Sequence, residues 1–214
     1  MTEGAPTRER LLIAGLRLFA ERGYDRVSVG DVEKAVGLVP RRGALYRHFA
    51  SKEALLTAAV RRDMEAYERA GVAFETPRGG LLDQAVALGR RTLRELDIQR
   101  DIVRVLERDG HRLPEVREEF RTNVADRGYA IVAVIVRSWL EQVRGTAATH
   151  ASKEAPGFDA DATAVLLAGA LVNVRRAEWT FGRPPGGVGD EALVRSWASL
   201  CVAAVTGAAA HSDA

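Results

Sequence analysis

The residues best suited to bind another molecule lie in one short segment, residues 37 to 56. Within it, the consecutive residues Tyr46, Arg47 and His48 offer a phenol, a guanidinium and an imidazole, and Lys52 follows about one helical turn later. Such side chains donate hydrogen bonds to anionic oxygens. Their clustering predicts a surface that meets a negatively charged partner, although each one taken alone is more often a solvated or core-edge residue.

Charge and composition narrow the class of protein. Hydrophobic residues make up 47% of the 214 residues, and the net charge is only +2. Residues 1–56 contain ten basic and seven acidic residues, whereas residues 57–214 contain 21 basic and 22 acidic residues. Two of the ten basic residues, the adjacent Arg41 and Arg42, lie close to the cluster. The single Cys201 excludes an internal disulfide. The longest apolar run, residues 129–136, is far shorter than the roughly 20 residues that cross a bilayer, so we expect a cytoplasmic protein without a membrane-spanning segment.

Helical periodicity dominates the chain, and no two alternating runs flank a hairpin signal, so the predicted fold class is all-α. The β-branched run at residues 129–136 could be a buried strand, but without a partner strand a buried helix is the better interpretation. The predicted helices are 7–22, 28–37, 43–49, 52 to the low seventies, 81–109, 115–144, 159–180 and 190–206.

The second and third predicted helices have the pattern of a helix-turn-helix. The Ser28 hydroxyl can cap the first of the pair, Asp31 suits the positive end of its dipole, and Gly43 would begin the second. In a helix-turn-helix the second helix lies in the DNA major groove with its N-terminal residues toward the base edges. The apolar residues expected to fix the crossing angle are Val29, Val32, Val36, Leu45 and Phe49.

A pattern of spaced residue types runs through residues 7–56. Its positions are Leu11, Ala14, Leu18, Phe19, Gly23, Tyr24, Ser28, Asp31, Val32, Gly37, Leu38, Gly43, Leu45, Tyr46, His48, Phe49, Ser51, Lys52, Glu53, Leu55 and Leu56. On these residues the segment resembles the DNA-binding domain of the TetR family of bacterial transcriptional regulators. The resemblance implies a helix-turn-helix domain over residues 1–56, a connecting helix over 52–75, and a helical ligand-binding and dimerisation domain over 57–214.

The resemblance also implies roles for individual residues. Tyr46 and His48 match side chains that touch the DNA backbone, and Lys52 matches a lysine that binds a phosphate. Gly43 and Ala44 match positions near base edges. The full predicted DNA-binding set is Ser28, Arg41, Arg42, Gly43, Ala44, Tyr46, Arg47, His48 and Lys52.

The segment departs from the family pattern in two ways. Between Gly37 and Tyr46 it carries two residues more than the commonest family spacing, and the extra length falls in the turn at residues 38–42. Gly30 and Glu33 stand where similar proteins more often have a helix-favouring or small apolar residue. The longer turn leaves the register of the turn residues against the bases open.

The C-terminal residues are expected to bind a small-molecule effector and to form a homodimer, as in proteins similar to this one. Apolar stripes on the last two predicted helices support pairing, although an intramolecular core would give the same stripes. The predicted dimer residues are Val165, Gly169, Val172, Leu193, Trp197, Leu200 and Val205. The residues proposed to line an effector pocket are Arg104, Trp139, Asn173 and Arg176.

Other classes of function fit the sequence less well. The four histidines are scattered and no HExxH or GxSxG motif occurs, so neither catalysis, a cofactor nor a metal site is predicted. A helical protein-interaction module is the alternative, and it would lack salt-sensitive affinity for duplex DNA. We therefore predict a ligand-responsive transcriptional regulator, a repressor released from a (pseudo)palindromic operator, with a similar activator as the other possibility.

Overall fold

The computed structural model describes residues 6–40, 42–69, 79–146 and 158–210, which form helices and turns with no strand among them. The predicted all-α fold class is therefore confirmed. The α-helices are α1 (Thr7–Arg22), α2 (Val29–Ala35), α3 (Lys52–Arg69), α4 (Leu81–Asp109), α5 (Pro114–Phe120), α6 (Arg127–Thr146), α7 (Ala160–Phe181) and α8 (Asp190–Ala210). Single turns of 3-10 helix cover Leu45–Arg47, Gly110–Arg112 and Pro185–Gly187, and a π-helical turn covers Arg121–Asp126.

The described residues up to Arg69 form one compact N-terminal unit together with Ile98–Val124. Its core centres on α1, whose buried Phe19 belongs to the face that packs against α3 and its neighbours. Gly15 allows this packing to be close, because a Cβ there would lie 3.1 Å from Cδ2 of Leu55 on α3. Helices α1 and α3 thus form the base on which the helix-turn-helix rests.

The described residues of Phe74–Asp97 and Ala125–Ala214 form the second compact unit. Helix α6 packs against both α7 and α8. Gly89 of α4 admits α8, since a Cβ there would lie 3.0 Å from Cε3 of Trp197. This unit is a helical bundle with its own core.

The predicted functional division after residue 56, with residues 52–75 as the connecting helix, stays a prediction. The compact units are divided differently, because the C-terminal part of α4 and all of α5 pack with the N-terminal helices. Helix α4 is one continuous helix that contains residues of both units.

One predicted helix is wrong in the structure. A helix over 43–49 is replaced by the 3-10 turn Leu45–Arg47, because Gly43 has a φ of +71°, outside the helical region. The predicted helix over 115–144 corresponds to a helical stretch over 114–146, in which a π-helical turn lies between α5 and α6. The π-helical turn has the sequence RTNVAD, whose Thr, Asn and Asp residues are weak helix formers. Residues 129–136 are helical, as predicted, within α6.

Helix α8 is long and apolar enough to cross a membrane, alone among the helices in the described ranges. This is weak support for a membrane span, because the core helix of a water-soluble protein passes the same test. One third of its most apolar window (33%) is buried inside the chain.

Candidate nucleic-acid interface

Helix α2 begins with a capping box. The Ser28 hydroxyl accepts a hydrogen bond from the Asp31 backbone N–H at 3.2 Å, and the Asp31 carboxylate accepts from the Ser28 backbone N–H at 2.8 Å. The Ser28 hydroxyl also donates to that carboxylate at 2.6 Å. These bonds from Ser28 lower the pKa of Asp31. The predicted capping role of Ser28 is confirmed, and its place in the predicted DNA-binding set stays a prediction.

The C-terminal end of α2 is held by a side chain from α1. The Arg10 guanidinium donates to the backbone carbonyl of Val36. Gly37 follows with a φ of +76°, a left-handed conformation that suits glycine. These contacts stop the helix and turn the chain toward the segment that precedes Leu45.

The 3-10 turn presents its polar side chains outward and its apolar ones inward. Leu45 and Phe49 are buried, whereas Tyr46 is 58% exposed and Arg47 and His48 are also exposed. The Leu45 carbonyl accepts from the backbone N–H groups of His48 and Phe49 at 2.9 and 3.0 Å, which closes the turn. The prediction that Leu45 and Phe49 anchor this segment is confirmed; the DNA contacts themselves stay predictions.

The start of this 3-10 turn is fixed by Glu33, a residue that departs from the family pattern. Glu33, fully buried in α2, accepts a hydrogen bond from the Leu45 backbone N–H at 3.0 Å through Oε1. Gly43 and Ala44, predicted to lie near base edges, are half-buried just before it. Arg42 is exposed, while Arg41 lies outside the described residues.

Lys52 has a structural role that the resemblance did not imply. Its Nζ donates to the carbonyls of Tyr24 and Val27 at 2.8 and 3.0 Å, and it lies 3.9 Å from the centre of the Tyr24 ring. A lysine ammonium has three N–H donors, so two are engaged within the chain. Contact with a phosphate, which stays a prediction, would use the third.

The loop between α1 and α2 is also held from the end of α4. Arg108 donates to the carbonyls of Phe19 and Ala20, and the buried Asp109 carboxylate accepts from the Tyr24 backbone N–H at 3.2 Å. The sequence does not reveal this clamp, because its partners are 85 or more residues apart.

The residues proposed to line an effector pocket differ in burial and in the unit to which they belong. Trp139 is buried and its indole N–H donates to Gln84 at 2.8 Å, which is a core contact. Asn173 and Arg176 are exposed on α7. Arg104 belongs to the N-terminal unit, where it lines an open cleft of about 320 Å³ with Ala20, Glu21, Glu107 and Arg108. The effector-pocket role of these four residues stays a prediction.

The predicted dimer residues divide into three groups by exposure. Trp197 and Val205 are buried in the core of their own chain, which leaves little of their side chains for a partner, and their dimer role stays a prediction. Leu200 and Val165 are exposed, at 64% and 50%. The half-buried members are Gly169, Val172 and Leu193. The periodicity shows which residues share a face but not which face meets the chain's own core.

Cys201, the single thiol, is buried in the C-terminal unit. Burial raises the pKa of this thiol to about 12. It is therefore in the unreactive, neutral form at physiological pH. No group of three or more histidine, cysteine or acidic residues suited to a metal ion occurs among the residues that the structure describes.

A capped short helix, a turn, and a second segment with apolar residues inward and Tyr-Arg-His outward together form a helix-turn-helix of the kind that binds DNA. The family model for bacterial regulatory proteins of the tetR family matches residues 11–59. The chain is 36% identical over 117 residues to the HTH-type transcriptional regulator UidR of Escherichia coli strain K12, a match covering 54% of this chain and 57% of UidR. The match thus spans little more than half the length of that relative.

Two further proteins extend the comparison. The HTH-type transcriptional repressor Rv1474c of Mycobacterium tuberculosis is 43% identical over 61 residues, which are 28% of this chain and 32% of that protein. The solved structure of Salmonella enterica GusR is 26% identical, with a TM-score of 0.53 over 98% of both chains. The family model and these relatives show that the N-terminal segment is similar to the bacterial regulatory proteins of the tetR family, and the fold of the chain is similar to that of GusR.

Proposed function

We propose that this protein is a cytoplasmic transcriptional regulator that binds duplex DNA through its helix-turn-helix and is released from its operator by a small molecule. The observation that carries the proposal is the exposed run Tyr46, Arg47 and His48 on a turn whose apolar residues are buried. Repression is favoured over activation because the similar N-terminal segment of Rv1474c belongs to a protein named as a repressor.

The proposed contacts divide into two kinds. Arg42, Arg47 and the third Lys52 N–H supply positive charge for phosphates, and Tyr46 and His48 supply hydrogen bonds to the same backbone. The half-buried Gly43 and Ala44 would face base edges, where small residues allow the main chain to approach closely. Phosphate contacts position the protein, whereas base contacts specify the sequence.

We propose that the protein acts as a homodimer through α7 and α8. Leu166 and Leu200 are 74% and 64% exposed, an unusual exposure for leucines on the helices of a bundle. A Cβ at Gly169 would meet nothing within 4 Å in its own chain, so packing within the chain does not require this glycine. In a two-fold symmetric dimer, the two helix-turn-helix segments would contact two DNA half-sites about 34 Å apart.

The dimer can be tested by sedimentation velocity. We expect Leu200→Glu or Leu166→Glu to yield monomers at concentrations where the wild-type chain is dimeric, because a carboxylate would be desolvated at the interface. Val134→Glu on α6, at a position 61% exposed, is the matched control and should leave the dimer intact. Equal loss in all three variants would argue against this surface.

For an effector to release the protein from DNA, the protein would need two conformations. We propose that they differ in the hydrogen bonds by which Arg108 and Asp109 hold the α1–α2 loop. Helix α4 contains residues of both units, and Arg108 and Asp109 at its end bind that loop. An effector that shifts α4 would move the loop and with it α2. By linkage, the effector can change DNA affinity only by its own preference between the two states.

The decisive experiment is a titration of duplex DNA, selected by the protein from a random library, at two salt concentrations. Affinity should fall steeply with salt, because phosphate binding releases counterions. Tyr46→Ala and Arg47→Ala should weaken binding. Arg195→Ala should not, since Arg195 is a similarly exposed arginine of the C-terminal unit paired with Glu191. If no duplex is enriched, a helical protein-interaction module becomes the better interpretation.

A further inference from the structure

Glu33 is an ionisable side chain in an unusual place. It lies in the middle of the seven-residue α2 and is fully buried. Burying a carboxylate is unfavourable unless hydrogen bonds replace its water. One such bond is known in atomic detail, because Oε1 accepts from the backbone N–H of Leu45 at 3.0 Å.

The backbone N–H of Leu45 needs a hydrogen-bond partner from elsewhere in the fold. Leu45 is the first residue of the 3-10 turn and is completely buried. A helical segment usually begins at a capping side chain such as serine or aspartate. Here the preceding residues are Ala44 and Gly43, which have no side-chain oxygen, and the structure shows no side-chain cap at Ala44. The Glu33 carboxylate takes the place of that cap from a different helix.

Glu33 also binds the other end of the same loop. Its backbone carbonyl accepts from the Leu38 backbone N–H at 2.9 Å. One residue therefore closes the chain from Leu38 to Leu45, the segment that is two residues longer than in similar proteins. The segment departs from the family pattern in its longer turn and in the glutamate of α2, and this glutamate hydrogen-bonds to both ends of that turn.

We propose that Glu33 is the positioning residue for DNA sequence recognition: its carboxylate fixes the main chain at Leu45 and so sets the position of the preceding Gly43 and Ala44 against the bases. This inference rests on the proposed DNA-binding function. Non-specific affinity comes from flexible basic side chains and tolerates small shifts of the main chain, whereas reading base edges requires a fixed one. Loss of the Glu33 contact therefore lowers the preference for the operator more than the affinity for DNA in general.

Three variants at this position separate the effect of the hydrogen bond from that of the charge. Glu33→Gln removes the charge and keeps a carbonyl acceptor of the same reach. Glu33→Leu removes the charge and the acceptor at similar volume. Glu33→Asp keeps the charge and withdraws the oxygen by one methylene. The measurement is the ratio of affinities for the selected operator and for an unrelated duplex of equal length.

We expect Glu33→Gln to keep the wild-type ratio within about threefold, and Glu33→Leu to lower it by about tenfold or more, since a displaced main chain would lose about as much discrimination as one mismatched base pair. Glu33→Asp should fall between them. If Glu33→Leu fails to fold, which circular dichroism and thermal unfolding will show, Glu33→Asp alone tests the inference. An unchanged ratio in Glu33→Asp and in any folded Glu33→Leu overturns the inference, as does an equal fall in Glu33→Gln and Glu33→Leu.

The proposed DNA-binding function and the proposed role of Glu33 are contradicted by different results. If the wild-type protein enriches no duplex, the proposed function fails and the role of Glu33 fails with it. If the wild-type protein enriches an operator and the Glu33 variants retain its preference, only the role of Glu33 is overturned.

Discussion

The charged side chains that hold the helix-turn-helix have different partners from those around Arg175 in the C-terminal unit. Around the helix-turn-helix, the charges bind the main chain: Glu33 accepts from Leu45, Lys52 donates to two loop carbonyls, and Arg108 donates to the end of α1. Main-chain groups in loops lack the partners that helices provide. Each of these side chains therefore fixes the position of a loop.

In the C-terminal unit, the charges bind each other. The buried Arg175 of α7 lies 2.6 to 3.2 Å from carboxylate oxygens of Asp97, Glu178 and Asp190, and so joins three helices. Burial raises the pKa of Asp97, while the charge of Arg175 opposes that rise. Meanwhile apolar side chains such as Leu166 and Leu200 remain exposed.

This difference shows where each unit can tolerate change. The N-terminal unit relies on single side chains that hold irregular segments, so substitutions there should change binding or local stability. The C-terminal unit relies on helix packing, so its exposed face can change without loss of fold. Three experiments test this comparison, in order of expected effect on stability.

The largest effect is expected in the C-terminal core. Trp197→Ala should lower the free energy of unfolding by about 3 to 5 kcal/mol, because it leaves a cavity beside Gly89 and removes the indole hydrogen bond to the Leu167 carbonyl. Leu200→Ala, on the exposed face of the same helix, should change the stability of the monomer by less than about 0.5 kcal/mol. Denaturant unfolding of monomeric protein measures both, and similar losses would remove the distinction between the two faces.

A smaller effect is expected where Lys52 holds the α1–α2 loop. Lys52→Met keeps the stem but removes both hydrogen bonds to carbonyls, and we expect about 2 kcal/mol of destabilisation together with weaker DNA binding. Tyr46→Ala should weaken DNA binding without a change in stability. Lys34→Met, an exposed lysine of α2, controls for the lost charge. If Lys52→Met leaves the thermal midpoint unchanged, the two carbonyl contacts contribute nothing measurable.

The smallest effect is expected at the cap of α2. Ser28→Ala should cost about 1 kcal/mol at neutral pH, and Ser28→Thr should restore most of it. The pKa of Asp31 is lower when folded than when unfolded, so the carboxylate contributes stability above its unfolded pKa and loses it as pH falls through the folded one. The gap between wild type and Ser28→Ala should therefore shrink as pH falls below about 4. A gap that grows in acid would contradict this account.

Local patterns predicted the regular part of the fold well. The bounds of α1 and α4 agree with the prediction, because each has a clear apolar period and a glycine at or just after its end. Ser51 caps α3 as serine usually does, accepting from the Ala54 N–H at 3.0 Å.

The rest depended on contacts that no local pattern carries. Gly43 looks like a helix start in sequence, yet its left-handed φ excludes that conformation. The clamp at Arg108 joins residues 88 or 89 positions apart. Trp197 and Leu200 share a helix and an apolar character, and only the packed structure shows that one is buried and the other exposed.

The double attachment of the loop to Glu33 has a consequence for engineering and for divergence among relatives. Leu38 hydrogen-bonds to the backbone carbonyl of this residue and Leu45 to its carboxylate, so both ends of the loop are attached to the same position on α2. We expect the side chains between them to accept substitution while these two contacts remain. On the proposed DNA-binding function, libraries that vary this loop and retain Glu33 would yield variants with new operator preferences.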